Sequence, residues 1–440
     1  MALPFLLERC NNNNVPKKVI VVGAGCAGLA MARALHKRSA ECEIVIIDPI
    51  LSGIRLDFAR TTQIMSTSTA SYDAGRIIRN DYIHNIYRII ASAAMNRWQT
   101  LEPWSHAYHR SGLLLASDTT DNGPLMETFA RSRDEVSSNG EPFEVEELYS
   151  KQDVKRALGT SGDVGGWGYL RHNAGWVHSG DIMRTVLEDL IQSDNICLKS
   201  EKVISLQRKA EEDTILGVVL ESGEYCAADL VVLATGPWTA GLIDTRGRTV
   251  ASGETVAYVQ LRPEEQHILR EMPCFVNFDQ KICFTPPTKL VLRVALHRDD
   301  SINAVTFDHP WIGGTTISIP PTFENRLDSP LRGTQEQKLR QALRIIFPAL
   351  SEAENIHFRQ CWYEDTFTGD FIVCSHPDFK QLFLLHGLGE HGFKFLNVIG
   401  DYAVGILLGE VDTSLAQLWG WPKGRTECQL YSSHGQGGWR

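Results

Sequence analysis

Apolar residues along this chain fall into unbroken runs and period-two stretches, and the two kinds of pattern alternate. Val19-Ile20-Val21-Val22, after Lys17 and Lys18, is an unbroken run of the kind a buried parallel strand carries. Glycines follow, and residues 27–37 read as a helix. Residues 43–48 repeat the strand pattern, which completes one βαβ unit of about 30 residues. Residues 51–71 form a polar loop rich in Ser and Thr, and residues 72–99 read as helical. Residues 123–140 mix turn residues with a short helix and mark a passage into a second domain. A strong helix is predicted over 181–192. Residues 201–206 and 214–220 alternate as strands do, and 229–234 is another buried strand. Segments 254–262, 281–285, 289–297 and 303–307 predict an antiparallel sheet. Residues 335–347 are helical, and a short strand at 383–386 leads through a glycine-bearing turn into a helix over 393–408. The chain has no internal repeat, and the asparagine run at 11–14 is of low complexity.

Composition narrows the class. The 440 residues suggest two or three domains at roughly 100–200 residues each. With 43% hydrophobic and 22% charged residues the chain can bury a sizeable core. The net charge of −10 comes with scattered Lys and Arg, so no basic stripe points to nucleic acid. None of the ten cysteines forms a CxxC pair. Cys26, Cys42, Cys197, Cys226 and Cys274 sit in apolar context and read as buried thiols of a reducing compartment. Residues 1–14 lack the basic start of a signal peptide. The apolar stretch 19–35 contains three glycines and Arg33 and is too short for a membrane span. The chain ends Gly438-Trp439-Arg440, which is not a peroxisomal tripeptide. These features predict a cytoplasmic protein with no nucleic-acid or membrane partner. His106 and His109 lack a third ligand at useful spacing, so no metal is expected.

Gly23-Ala24-Gly25-Cys26-Ala27-Gly28 is a complete GxGxxG between a strand and a helix. Its first glycine permits a tight turn, its second lets backbone approach a pyrophosphate, and its third allows close helix–strand packing. The helix N-terminus then faces the phosphates. Asp48 closes the next strand about 20 residues on, where an acid binds ribose hydroxyls. A glycine-rich turn without ligand is the alternative. The fingerprint alone does not separate FAD from NAD. The strand 229–234 ends in Ala234-Thr235-Gly236, which resembles the second signature of two-domain FAD enzymes.

The C-terminal part reads Cys361-Trp362-Tyr363-Glu364-Asp365-Thr366, then Thr368-Gly369-Asp370-Phe371, then His391-Gly392-Phe393-Lys394-Phe395. This arrangement resembles the monomeric sarcosine oxidase and fructosyl amino acid oxidase family, including fungal pipecolate and saccharopine oxidases. The resemblance runs from Val19 to about Leu408 and is weak over 100–170 and 240–280. It implies an α/β (α+β) fold, with a Rossmann-like FAD-binding domain over 15–100, 165–240 and 350–425. Interleaved with it is a substrate domain on a mostly antiparallel sheet over 101–164 and 241–349, with tails at 1–14 and 426–440. It implies an 8α-thioether between FAD and Cys361, where the alternative is a buried free thiol. It also implies that Val203, Gly389, Gly392 and Phe393 lie against the cofactor.

Arg76-Ile77-Ile78-Arg79 reads as a helix start with both arginines on one face. By resemblance Arg76 lies against the flavin, while Arg79 and Lys394 clamp a substrate carboxylate. An arginine fork suits that work. Two surface arginines on an amphipathic helix are the alternative. Lys394 follows a glycine-rich turn at a predicted helix start, which favours negative charge. Where the family has a lysine four residues before a histidine, this chain has Arg293 before His297. Arginine keeps the charge but cannot give up its proton. His297 is either a base for the substrate amine or a packed histidine. The implied reaction is oxidation of a secondary amine bearing a carboxylate, giving an imine, with dioxygen as acceptor and the protein a monomer. The alternatives are a dehydrogenase with another acceptor and a flavoprotein without catalysis.

Overall fold

The computed structural model describes residues 15–51, 69–120, 122–139, 144–309, 312–321, 333–350 and 352–423. Residues 52–68 of the polar loop at 51–71, the asparagine run and both predicted tails lie outside these residues.

Two large sheets carry the fold. The first has six strands in the order Ile372–Ser375, Leu382–His386, Leu230–Leu233, Lys18–Val22, Glu43–Ile47 and Ile196–Lys199. Its neighbours are parallel except at the Ile372–Ser375 edge. The predicted βαβ unit is its centre, with the helix Cys26–Arg38 between Lys18–Val22 and Glu43–Ile47. Val19, Ile20 and Val21 are fully buried because helices and a second sheet cover both faces, and so the run is unbroken rather than alternating.

The second sheet has eight strands: Ile356–Thr366, Thr249–Gln260, Val291–Ser301, Ile282–Phe284, Cys274–Asn277, Leu113–Ser117, Trp167–Arg171 and Val145–Leu148. All neighbours are antiparallel except Cys274–Asn277 with Leu113–Ser117. The chain therefore passes between the sheets several times. Trp167–Arg171 and Ile356–Thr366 join the eight-stranded sheet from stretches that the sequence placed with the nucleotide-binding part.

Several local expectations need correction. Residues 72–99 are not one helix. Arg76–Ile78 is a strand, and the helix is Asn85–Thr100. The β-branched pair Ile77-Ile78 favours the extended form, and the strand pairs antiparallel with Gly175–Val177. Arg76 and Arg79 consequently do not share a helix face. The helix expected over 393–408 is a single 3-10 turn, Phe393–Phe395, followed by an α-helix only at Ile399–Leu407. Lys394 thus does not stand at the start of a long helix dipole. Residues 123–139 form one continuous helix rather than turns with a short one. Cys197 is exposed and Cys26 and Cys226 are half-buried, whereas Cys42 and Cys274 are buried as expected. No helix among the described residues is long and apolar enough to cross a membrane.

Candidate active site

The glycine loop packs against the end of the neighbouring strand. Gly23 has φ +106°, and a Cβ there would lie 2.4 Å from the Ala234 carbonyl oxygen. A Cβ on Gly28 would lie 1.9 Å from the Gly23 carbonyl oxygen, so the helix can approach the loop only without one. The loop thus abuts Ala234-Thr235-Gly236, which joins the two sequence signatures in space. Gly236 has φ +50° and begins the 3-10 helix Gly236–Gly241. Thr235 and Thr239 share a hydroxyl hydrogen bond of 2.9 Å. Asp48 accepts from the Ala24 and Ile50 amides at 2.7 and 2.9 Å. Burial nonetheless raises its carboxyl above the ordinary value. The Cys26 amide donates to Ser71 Oγ at 2.9 Å, and Ala27 is buried behind it. Val203 opens the strand Val203–Lys209 and is buried with Leu206, Ile215 and Val218.

A second set lies on one face of the eight-stranded sheet. Alternation puts Arg359, Cys361 and Tyr363 of Ile356–Thr366 on the same side. In register they face Val256, Glu254 and Ser252 of Thr249–Gln260. Tyr258 of that strand pairs with Arg293. This face is polar and buried, which a purely structural sheet avoids. Its centre is Asp73, which the sequence reading did not single out. Asp73 Oδ2 accepts from Arg293 Nε at 2.7 Å and from Arg76 Nη1, and Arg359 Nη2 lies 3.6 Å away. Its Oδ1 accepts from the Tyr258 hydroxyl and the Ala74 amide, both at 2.7 Å. Burial alone would raise the Asp73 carboxyl, but Arg293, Arg76 and Arg359 outweigh it and hold it far below the carboxylate range. Arg76 also reaches Cys361, with Nη2 3.6 Å from Sγ. Tyr363 donates to Glu254 at 2.9 Å. His297 follows Arg293 on the strand Val291–Ser301, but its side chain lies outside the described part.

A third set surrounds Tyr82, also missed from sequence. Arg79 and Lys394 both lie over its ring, at 5.3 and 5.2 Å from the centroid. Lys394 Nζ donates to the Tyr82 hydroxyl at 2.9 Å and to the His391 carbonyl at 3.0 Å. Arg79 donates to the Asp81 carbonyl. The Asp81 side chain is held instead by Arg171, Ser132 and Tyr169. The Tyr82 hydroxyl and His391 Nδ1 are 2.9 Å apart. Burial and then Lys394 push His391 down to about 3, which keeps its ring neutral. Burial and then Arg79 push Lys394 well below the ordinary lysine value. The carboxylates of Glu390 and Asp81 act on Lys394 in the opposite sense but more weakly. The face of Tyr82 lets two like charges share one apolar site, because an aromatic ring attracts cations. Gly389 (φ +55°) and Gly392 shape the turn before Lys394; a Cβ on Gly392 would lie 2.4 Å from Leu388 Cβ. Phe393 is buried beside it.

The sign of the Lys394 shift gives a prediction. An anionic ligand beside Lys394 raises its pKa, so binding takes up a proton between the depressed value and the value in the complex. Affinity for a simple, unreactive carboxylate is expected to fall as pH rises through that window, by up to about tenfold per pH unit. Absorbance titrations of the holoenzyme across pH check this. A pH-independent dissociation constant in the wild type would remove Lys394 as the proton acceptor.

The second and third sets are joined by the strand Arg76–Ile78, with Arg76 at the sulfur of Cys361 and Arg79 just beyond its other end. Comparison with known proteins places the chain in a family. Amino acid oxidase imqH of Aspergillus flavus is 28% identical to this chain over 94% of it and 99% of that protein. L-saccharopine oxidase of Schizosaccharomyces pombe is 23% identical over 92% and 93%. A solved fructosyl peptide oxidase from Aspergillus nidulans, in a variant with seven additional mutations, superimposes with a TM-score of 0.81. It is 22% identical and covers 94% of this chain and 95% of that one, which is a likeness of fold. The sequence profile of the FAD dependent oxidoreductases matches residues 18–405, and the chain belongs to that family.

Proposed function

We propose that this protein oxidises a secondary amine that carries a carboxylate, with FAD held through Cys361 and dioxygen as electron acceptor. One observation carries the reading. Two buried cations, Arg79 and Lys394, share the ring of Tyr82, at the far end of a short strand from Cys361. At a rise of about 3.3 Å per residue, Arg76 and Arg79 are separated by roughly 10 Å. That suits a cofactor fixed at one end and a carboxylate fixed at the other. The names of the relatives support the substrate class, since they oxidise amino acids and saccharopine.

The residues present fit FAD. The glycines let the loop close against Ala234 and the helix Cys26–Arg38 close against the loop, the tight strand–turn–helix that a pyrophosphate needs, and Asp48 closes the strand where ribose hydroxyls would sit. Thr235, Gly236 and Val203 complete that end. When bound, FAD supplies the acceptor of two electrons from the substrate carbon next to nitrogen. The chain supplies the rest. Arg79 and Lys394 hold the carboxylate and so orient the amine, and orientation is the larger part of what such a site contributes. Aromatic packing around Tyr82, Tyr87, Phe371 and Phe395 excludes water from the clamp. Arg76 lies against Cys361 and presents positive charge there. His297 is the candidate to take the proton from the substrate ammonium. The product is an imine, open to hydrolysis or ring closure.

In domain terms we assign 15–100, 165–240 and 350–425 to FAD binding and 101–164 and 241–349 to the substrate side. The strands Trp167–Arg171 and Ile356–Thr366 serve the substrate sheet. One chain contains every group named, in keeping with a monomer, and the free thiols among the described residues suit the cytoplasm.

The test is anaerobic mixing of holoenzyme with N-methyl, cyclic and N-alkyl amino acids while the visible flavin absorbance is followed. Bleaching by one class names the substrate. No bleaching by any, with the flavin reducible by dithionite, overturns the simple amino acid reading. The Arg293–Asp73 ion pair favours a second reading, transfer to an acceptor other than dioxygen. Turnover with dioxygen against turnover with a dye separates the two.

A further inference from the structure

The carboxylate of Asp73 has 0% side-chain exposure and gathers charge from three separate parts of the chain. Arg76 comes from the same segment, Arg293 from Val291–Ser301 and Arg359 from Ile356–Thr366. Tyr258 adds a hydroxyl from the strand between the last two. The Asp73 backbone is pinned as well, since its carbonyl accepts from the Ser179 hydroxyl and the Gly180 amide, both at 3.0 Å. One anion against three guanidinium groups leaves Asp73 and its direct partners net positive, with the buried carboxylate of Glu254 further along the same face.

We propose that Asp73 is a positioning residue that fixes Arg76 and Arg293 as one unit and thereby sets the reduction potential of the cofactor. The proposal rests on the reading that Cys361 holds FAD, because Arg76 joins the two, with one nitrogen on Asp73 and another 3.6 Å from Cys361 Sγ. The physical argument is electrostatic. Charges in a buried cluster interact through a low effective dielectric and are little screened by salt. Positive charge near the cofactor favours the electron-rich state, and a fixed negative charge in the same cluster limits that gain. Asp73 therefore acts in opposition to the arginines it orders. Arg293 offers Nε to Asp73, which leaves the other N–H groups of its five-donor fork to face elsewhere. A lysine at that position has no such divided geometry.

The two signs make the test. Holoenzyme with Asp73→Asn is expected to have a higher midpoint potential, by about tenfold in the two-electron equilibrium or roughly 30 mV. Arg359→Gln removes one positive charge from the weakest contact of the same cluster and is expected to lower the potential. A merely structural role for Asp73 alters flavin content or melting temperature but not two potentials in opposite directions. If Asp73→Asn does not fold, Arg359→Gln alone carries the sign, and Asp73→Glu is expected to return the potential near the wild-type value. A potential unchanged in Arg359→Gln, or moved upward by it, overturns the proposal. The failure of the underlying reading looks different: flavin that washes out of acid-treated wild-type protein removes Cys361 from the site, whatever the potentials do.

Discussion

Cys361→Ser holoenzyme is expected to lose all of its FAD to the supernatant on acid precipitation, whereas the wild-type pellet is expected to stay yellow. The serine hydroxyl matches the thiol in size, so the buried strand is expected to survive the change. Cys361 is fully buried on Ile356–Thr366, in register with Glu254 and flanked by Tyr363 and Arg359 on one face. The thiol lies beside a guanidinium, with Arg76 Nη2 at 3.6 Å from its sulfur. Without a bond from that sulfur, FAD is held only by the glycine loop, Asp48 and the polar sheet face. Its occupancy then depends on free FAD concentration, and the thermal stability of the variant becomes FAD-dependent by mass action. A colourless wild-type pellet would return Cys361 to the status of a buried free thiol.

Arg79→Ala is expected to raise KM for the amine substrate at least thirtyfold while FAD stays bound. Truncating one member of a buried, hydrogen-bonded charge pair costs roughly 2–5 kcal/mol, and each ~1.4 kcal/mol is tenfold in binding. Arg79 donates to the Asp81 carbonyl and lies over Tyr82, away from the glycine loop, so the nucleotide end is untouched. Arg79→Lys restores the charge but not the planar fork, and an intermediate KM is expected. Lys394 alone cannot replace the lost cation, because burial disfavours its charged form. Steady-state kinetics with one substrate and its amide analogue decide the matter. The amide already lacks the charge, so its KM is expected to respond far less. Equal KM for wild type and variant across all amino acid substrates would remove Arg79 from the clamp.

The nucleotide end was legible in the sequence because its signals are local. Gly23, Gly25, Gly28 and Asp48 fall within one βαβ unit, and Thr235 and Gly236 end a strand that pairs with its first strand. Cys361 and Lys394 were singled out only through family resemblance. Asp73 was not legible, although it lies three residues from Arg76. A lone acid carries no mark of which arginines it meets, and Arg293 is 220 positions away. Tyr82 and His391 were hidden for a related reason: each looks like an ordinary core aromatic until Lys394 is placed beside it. The helix expected at Arg76 to Arg79 failed because two arginines three apart fit a helix face as well as two strand ends. Strand pairing with Gly175–Val177 decided between them.

Arg76 and Cys361 are 285 positions apart. Their contact cannot form until the strand Ile356–Thr366 has been made and has added to the edge of Thr249–Gln260. Long-range antiparallel pairing of this kind is slow and comes late in folding. On the proposal that Cys361 holds FAD, attachment of the cofactor is then a mark of completed folding. In a preparation with mixed quality, the share of protein carrying bound colour after denaturation counts the molecules whose two ends once met.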